Sequence, residues 1–196
     1  MGKKIILASG SPRRRQLLMQ AGIPHEVIVS NADETETTSD NPAEQVKELA
    51  MRKAMAISHN HPPTEIIVIA ADTLVYLDGE ILGKPTSENE AFKMLKKLQG
   101  KTHMVYTGVA LLSDNDTNVF YDMAEVTFRP LINEEIWAYI ATGEPFDKAG
   151  AYGVQERGAV LVDCINGDFY TVMGLPISKV CTTLVKMGYH YWDANS

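Results

Sequence analysis

The chain has 196 residues, enough for one domain or one domain of two lobes, and 45% of them are hydrophobic, so a sizeable core can form without staples. Its 25 acidic and 18 basic side chains leave a formal charge of −7, which disfavours nucleic acid polymers and anionic membranes as partners. The two cysteines form no C-x-x-C and read as ordinary buried thiols. The apolar runs at 4–8 and 66–71 are far below the ~20 residues of a membrane span, so a soluble cytoplasmic protein is expected.

Lys4–Ala8 reads as a strand, followed by Ser9-Gly10-Ser11 and a helix opened by Pro12 and closed at Ala21-Gly22. Glu26–Ser30 reads as a second strand, and the polar, acidic segment 31–41 as a loop. After Pro42 a helix sets Val46, Leu49, Ala50, Lys53, Ala54 and Ile57 on one face; Lys53 either snorkels past the stripe or points its ammonium inward. Ile66–Ala71 is continuously apolar, the pattern of a strand covered on both faces, with Asp72 at its carboxyl end. Asp78-Gly79 predicts a hairpin turn between 73–77 and 80–82.

Ser87 and Glu90 form a capping box for a helix burying Ala91, Met94, Leu95 and Leu98 and ending at Gly100. Thr102–Leu112 and Val119–Phe128 read as long strands joined by the turn 114–116. Asn133 is expected to cap a helix that ends at Gly143, and Asn166-Gly167 to turn between strands 160–165 and 169–172. A last helix from Pro176 to Gly188 buries Ile177, Val180, Cys181, Leu184 and Val185. Roughly five helices interleaved with about eight strands point to a mixed-sheet α/β or α+β fold.

No dinucleotide fingerprint, zinc spacing or hydrolase elbow is present, and Gly79–Lys84 departs from a Walker A loop in spacing and in Pro85. The segment Ser9–Arg15 instead gathers anion-binding devices: a helix start, a glycine, hydroxyls and three guanidiniums. It is either a phosphate cradle or a capped helix with a solvated basic turn. Asp72 adds a carboxylate where α/β sheets place ligands, or it caps the neighbouring turn. Asp33, Glu34 and Glu36 in the acidic loop are hard oxygen donors, suited to Mg²⁺ or Mn²⁺, whereas His59 and His61 read as solvated surface. The loop Asp147–Gln155, rich in small residues, either admits a flat ligand edge, which Gln155 can both donate to and accept from, or is a tight structural loop.

The stretches Ala8-Ser9-Gly10-Ser11-Pro12-Arg13-Arg14, Ala71-Asp72-Thr73, Gly83-Lys84-Pro85, Asp147–Gln155 and Gly174-Leu175-Pro176 together resemble the Maf family of nucleoside triphosphate pyrophosphatases, in the branch that hydrolyses dTTP and UTP. The resemblance spans almost the whole chain. It implies a single domain over 1–196, an α/β fold whose mixed central sheet is flanked by helices, and two lobes around a cleft as in ITP pyrophosphatases. It further implies Mg²⁺ or Mn²⁺ as cofactor, a nucleoside triphosphate substrate, a homodimer and a house-cleaning role.

By the same resemblance Asp72 is the catalytic acid/base or a metal carboxylate, with Glu34 at the metal. Ser9, Arg13, Arg14, Lys53, Lys84 and Lys148 would bind substrate, while Thr73 and Gln155, with Arg13, would govern its choice. Gln16, Glu156-Arg157 and Met173 depart from the usual family pattern. A nucleotide-binding regulator of cell division is the rival reading; the 148–155 loop argues against the sister branch that acts on 7-methyl-GTP.

Overall fold

The computed structural model describes residues 3–34, 37–59, 66–114, 116–190 and 192. Among them the strands are β1 (Lys4–Leu7), β2 (His25–Val27), β3 (Ile66–Leu77), β4 (Glu80–Leu82), β5 (Thr102–Leu112), β6 (Thr117–Phe128) and β7 (Val162–Asn166). The helices are α1 (Pro12–Gln20), α2 (Pro42–Ser58), α3 (Glu88–Leu98), α4 (Asn133–Ile140), α5 (Phe169–Met173) and α6 (Ile177–Lys186). The strands form one mixed sheet in the order β2-β1-β3-β5-β6-β7, with β4 added to β3. β1 is parallel to β2 and β3, whereas β4 on β3 and β7 on β6 are antiparallel. The chain divides into two compact units, one of residues 1–72, 107–122 and 174–196, the other of 73–106 and 123–173.

In the first unit, Ile67 to Ala71 of β3 are wholly buried, as the continuous apolar run predicts. One face of the strand carries Ile66, Val68 and Ala70, which join Ile6, Ala8 and Ala110 against Ala50, Ala54 and Ile57 of α2. Each large aliphatic side chain fully buried there contributes about 1.5–3 kcal/mol. α2 starts at Pro42 because the Asn41 side chain accepts from the N–H groups of Ala43 (2.9 Å) and Glu44 (3.3 Å). It lies close to β5 because position 108 is glycine: a Cβ there would overlap the carbonyl of Val46.

In the second unit, the β3–β4 hairpin turns through Asp78 (φ 50°) and Gly79 (φ 89°), both left-handed, matching the twist of the flanking strands. Phe92 of α3 stacks on Trp137 of α4 with centroids 4.7 Å apart. His103 of β5, Phe128 of β6 and Tyr152 meet edge to face in the interior, at centroid distances of 4.7–5.3 Å.

Several expectations are corrected. β3 is one 12-residue strand, so Asp72 lies within it and not at its end; Thr73–Leu77 continues the pleat because β4 pairs with its last residues. β2 covers only His25–Val27 of the region expected to be extended. Glu90 does not close its box on Ser87, since its carboxylate accepts from the N–H and hydroxyl of Thr86 (2.7 and 2.6 Å) while Ser87 caps alone. Asn133 is the first helical residue of α4 and accepts from Lys96; the cap position is Ile132, whose N–H is taken by Glu135. Phe169–Met173 is helical because Asp168 accepts from the Tyr170 N–H and the Thr171 hydroxyl. Cys164 is exposed on β7, Cys181 is buried in α6, and Val185 is 44% exposed, off the α6 stripe of Val180, Cys181 and Leu184. Among the described residues no helix is long and apolar enough to cross a membrane.

Two outcomes follow from this packing. Gly108→Ala drives a methyl group into the α2 backbone and is expected to cost about 3 kcal/mol, the upper end of overpacking, as a lowered urea midpoint at unchanged slope. Burial pushes the His103 imidazole down from 6.5 to about 4, so the unfolded chain takes up this proton first as the pH falls. Its contribution is fully present above about pH 6.5 and is lost towards pH 4, a decline of about 3 kcal/mol. Urea denaturation across that window should show the decline, and His103→Gln should flatten it.

Candidate active site

The row Ile66, Val68 and Ala70 continues on the same face of β3 to Asp72, and the apolar stripe of α2 includes Lys53. Where the two rows meet, the Lys53 ammonium donates to Asp72 Oδ1 at 2.6 Å and pairs with Glu34 Oε2 at 2.8 Å. Lys53 is only 8% exposed, so it points inward and does not snorkel. Asp72 Oδ2 has no hydrogen bond among the described residues. The ladder between β1 and β3 stops at Leu7 opposite Ile69, and the Ala8 N–H donates to the Ile69 carbonyl (2.8 Å) before the chain departs through Ser9.

Ser9 is buried, and its hydroxyl oxygen accepts twice, from the Ser11 N–H (3.2 Å) and from Arg14 Nη1 (3.1 Å). Both lone pairs are engaged, while its proton has no acceptor among the described residues and is left to donate. Arg14 also donates through Nε to the carbonyl of Gly174 (2.7 Å), tying the segment that opens α1 to Gly174-Leu175-Pro176. Burial lowers the pKa of this guanidinium; Asp72 and Glu34 push it back up, and Arg13 lowers it further. The first turn of α1 carries Arg13, Arg14 and Arg15 and no acidic residue, although a helix amino terminus favours negative charge. That arrangement favours an anion at this turn.

In the second unit Lys84 is exposed and makes no ion pair among the described residues, and the neighbouring Gly83 carbonyl accepts from the Gly150 N–H at 2.9 Å. Lys148 is buried, its ammonium donating to the Glu144 carbonyl (2.6 Å) and to Asp147 (2.7 Å). The small residues beside it serve internal packing. A Cβ at Gly150 (φ 67°) would press on Val75, and one at Gly153 would strike the Lys148 stem. Gln155 is half-buried, and its side chain makes no hydrogen bond among the described residues. Thr73 follows Asp72 along β3 and so projects to the opposite face.

Among the other candidate ligands, Asp33 is exposed and its carbonyl accepts from Arg52 (3.4 Å), while His59 is exposed beyond α2. Glu36 and His61 lie outside the described residues. Among the described residues no three His, Cys, Asp or Glu side chains gather as a metal cluster; Glu34 and Asp72 are two carboxylates drawn together by one ammonium.

The family model for Maf-like proteins matches residues 4–187. The chain belongs to the Maf family. It is 51% identical over 182 residues to the dTTP/UTP pyrophosphatase of Bacillus thuringiensis subsp. konkukian (strain 97-27), covering 93% of this chain and 94% of that protein. The dTTP/UTP pyrophosphatase of Bacillus cereus (strain ATCC 10987 / NRS 248) is 52% identical over 182 residues, covering 93% and 89%. That of Bacillus cytotoxicus (strain DSM 22905 / CIP 110041 / 391-98 / NVH 391-98) is 53% identical over 182 residues, covering 93% and 94%.

In this Maf protein the donor set fits a divalent cation. Mg²⁺ takes hard oxygen ligands and is commonly held by one or two carboxylates completed by substrate phosphates and water. Glu34 and Asp72, with Oδ2 of Asp72 uncommitted, meet that requirement.

Because one ammonium serves two carboxylates, its removal and theirs should differ. Lys53→Met leaves both acids facing each other and is expected to cost about 3 kcal/mol. Asp72→Asn keeps the Glu34–Lys53 pair and should cost about 1 kcal/mol. Urea denaturation of the two variants decides the order; a larger loss in Asp72→Asn would contradict the central place of Lys53.

Proposed function

We propose that this chain hydrolyses dTTP and UTP to the nucleoside monophosphate and pyrophosphate, the activity for which its Bacillus relatives are named. The observation that carries the proposal is a buried lysine paired with a part-buried aspartate that has a carboxylate oxygen to spare, in the same unit as a helix whose first turn concentrates guanidiniums. Such a set neutralises phosphates and leaves an acceptor for a water proton.

The Ser9 hydroxyl donates to a phosphate oxygen, and Arg13 and Lys53 supply positive charge along the triphosphate. Arg14 acts by holding Ser9, since two of its nitrogens are bonded to Ser9 and Gly174. A water oxygen bonds to the α-phosphorus, the bond from that phosphorus to the bridging oxygen breaks, and pyrophosphate leaves with that oxygen. Asp72 receives the water proton at Oδ2; were it instead a metal carboxylate with Glu34, that proton would pass to solvent. Mg²⁺ or Mn²⁺ bound there would neutralise phosphate charge and make the water more acidic. The rate enhancement comes mainly from positioning and electrostatics, as in other phosphoryl chemistry.

Base choice falls to Gln155, whose amide is uncommitted. Thymine and uracil present an acceptor at O4 beside a donor at N3, and a carboxamide offers the complementary pair.

Pyrophosphate release from dTTP, UTP and CTP with Mg²⁺, measured by coupled phosphate detection, tests the reading. Wild type should turn over dTTP and UTP, and Asp72→Asn should lose about a thousandfold in kcat. Gln155→Ala should narrow the preference for dTTP over CTP by about tenfold. Tight nucleotide binding with no pyrophosphate released would favour the regulator instead.

A further inference from the structure

The acidic segment between β2 and α2 brings Glu34 to Lys53 with no regular structure to carry it there. None of its described residues belongs to a helix or strand, and Asp33, Glu34 and Glu36 place like charges within a few positions of one another. The bonds of the Ala32 N–H to the Ser30 hydroxyl (3.1 Å) and of the Asn41 N–H to the Ser39 hydroxyl (3.1 Å) are local, each spanning two residues. Ordering such a chain costs backbone entropy at every residue.

A pair one turn apart on α2 ties the segment to that helix. Glu48 Oε1 accepts from Arg52 Nη2, an i,i+4 arrangement that on an ordinary helix surface leaves the remaining oxygen and nitrogens to water. Here Glu48 Oε2 accepts twice from Thr38, from its N–H (2.9 Å) and from its hydroxyl (2.8 Å). Arg52 Nη1 donates, over a longer 3.4 Å, to the Asp33 carbonyl. The two anchors fall on either side of Glu34. Arg52 and Lys53 are neighbours on α2, as Asp33 and Glu34 are on the segment, so consecutive helix residues hold consecutive segment residues. All of them belong to the first unit.

We infer that Glu48 and Arg52 are positioning residues for Glu34: they tie Thr38 and Asp33 to α2 so that the Glu34 carboxylate stays on Lys53, where it can serve a divalent cation. This rests on the hydrolase reading above. The Glu34 side chain is 48% exposed, and an ion pair open to water on one side contributes too little to order a segment by itself. A carboxylate that must be ordered when the cation arrives gives up part of its binding free energy to that ordering. Bonds made beforehand by Glu48 and Arg52 remove this loss, although neither residue touches cation or nucleotide.

The test has a metal-free arm and a catalytic arm. Without metal or nucleotide, the Glu34–Lys53 coupling is measured by urea denaturation of wild type, Glu34→Gln, Lys53→Met and the double variant, then again in Glu48→Ala and Arg52→Met backgrounds. In either background the coupling should fall by about half or more. In pyrophosphate release at fixed dTTP, Glu48→Ala and Arg52→Met should each raise the half-saturating Mg²⁺ concentration about tenfold, with kcat at saturating Mg²⁺ within about twofold of wild type. Glu48→Gln, whose amide oxygen still accepts from Thr38, should recover part of that shift. In a Glu34→Gln background Glu48→Ala should shift it no further. Should either variant fail to fold, Thr38→Val, which removes one of the two bonds to Glu48, decides by the same readings. An unchanged coupling, an unchanged half-saturating concentration in folded variants, or a wild type fully active without divalent cation would overturn the inference. A wild type inactive on dTTP and UTP would instead remove the hydrolase reading, while the metal-free coupling would still decide whether Glu48 and Arg52 position Glu34.

Discussion

A lysine taken out of water must be matched, and Lys53 is matched twice, by Asp72 and by Glu34. Desolvating each ion costs several kcal/mol, and well-packed apolar residues in such positions are commonly more stable by about 1–4 kcal/mol. The surroundings of the pair show that apolar residues would fit. Ala50, Ala54 and Ile57 flank Lys53 on α2, and Ile66, Val68 and Ala70 precede Asp72 on β3. The protein therefore interrupts a hydrophobic interface to keep two charges. The same interface orients them, since the packing of α2 on β3 sets both the rotation of the helix and the face of the strand from which the carboxylate projects.

The opening of α1 points the same way by a different physical route. Acidic side chains are the ordinary residents of a helix's first turn, yet this one holds three arginines and no acid. The local concentration stands out further because the whole chain carries a formal charge of −7. Long-range repulsion keeps polyanions away, while a compact anion that reaches this turn meets a serine proton, guanidiniums and a helix dipole. The Ser9 hydroxyl, with both lone pairs committed to Ser11 and Arg14, can only donate outward.

Much of this was legible in the residues. Periodicity alone marks Lys53 as out of place on its stripe, and the apolar run ending at Ala71 marks Asp72. That β3 runs on to Leu77 was not legible, because a single aspartate after an apolar run looks like a terminus, whereas β4 pairs with the strand's last residues. The helix at Phe169–Met173 was missed for a similar reason: aromatic and β-branched residues favour strands, and the Asp168 cap overrides that preference. Bonds between distant motifs were also hidden. Nothing local in sequence shows that Arg14 reaches Gly174, that Gly150 reaches Gly83, or that His103 reaches Tyr152. The small residues of 147–155 suggested room for a ligand, whereas Val75 and Lys148 already occupy it.

That internal occupancy changes what this segment is for. Gln155 is half-buried, so water can meet its side-chain amide in the free protein, and a base that displaces this water must offer a matching edge. Bonds to Tyr139, Glu144, Lys148 and Tyr152, together with glycines closed against their neighbours, hold the segment 144–158 in place. A polar group at a binding site rejects a ligand with the wrong edge because that ligand takes away its water and leaves it unpaired. Ala151 and Glu156 hold left-handed backbone on either side of Gln155, a conformation that persists only where its surroundings over-determine it.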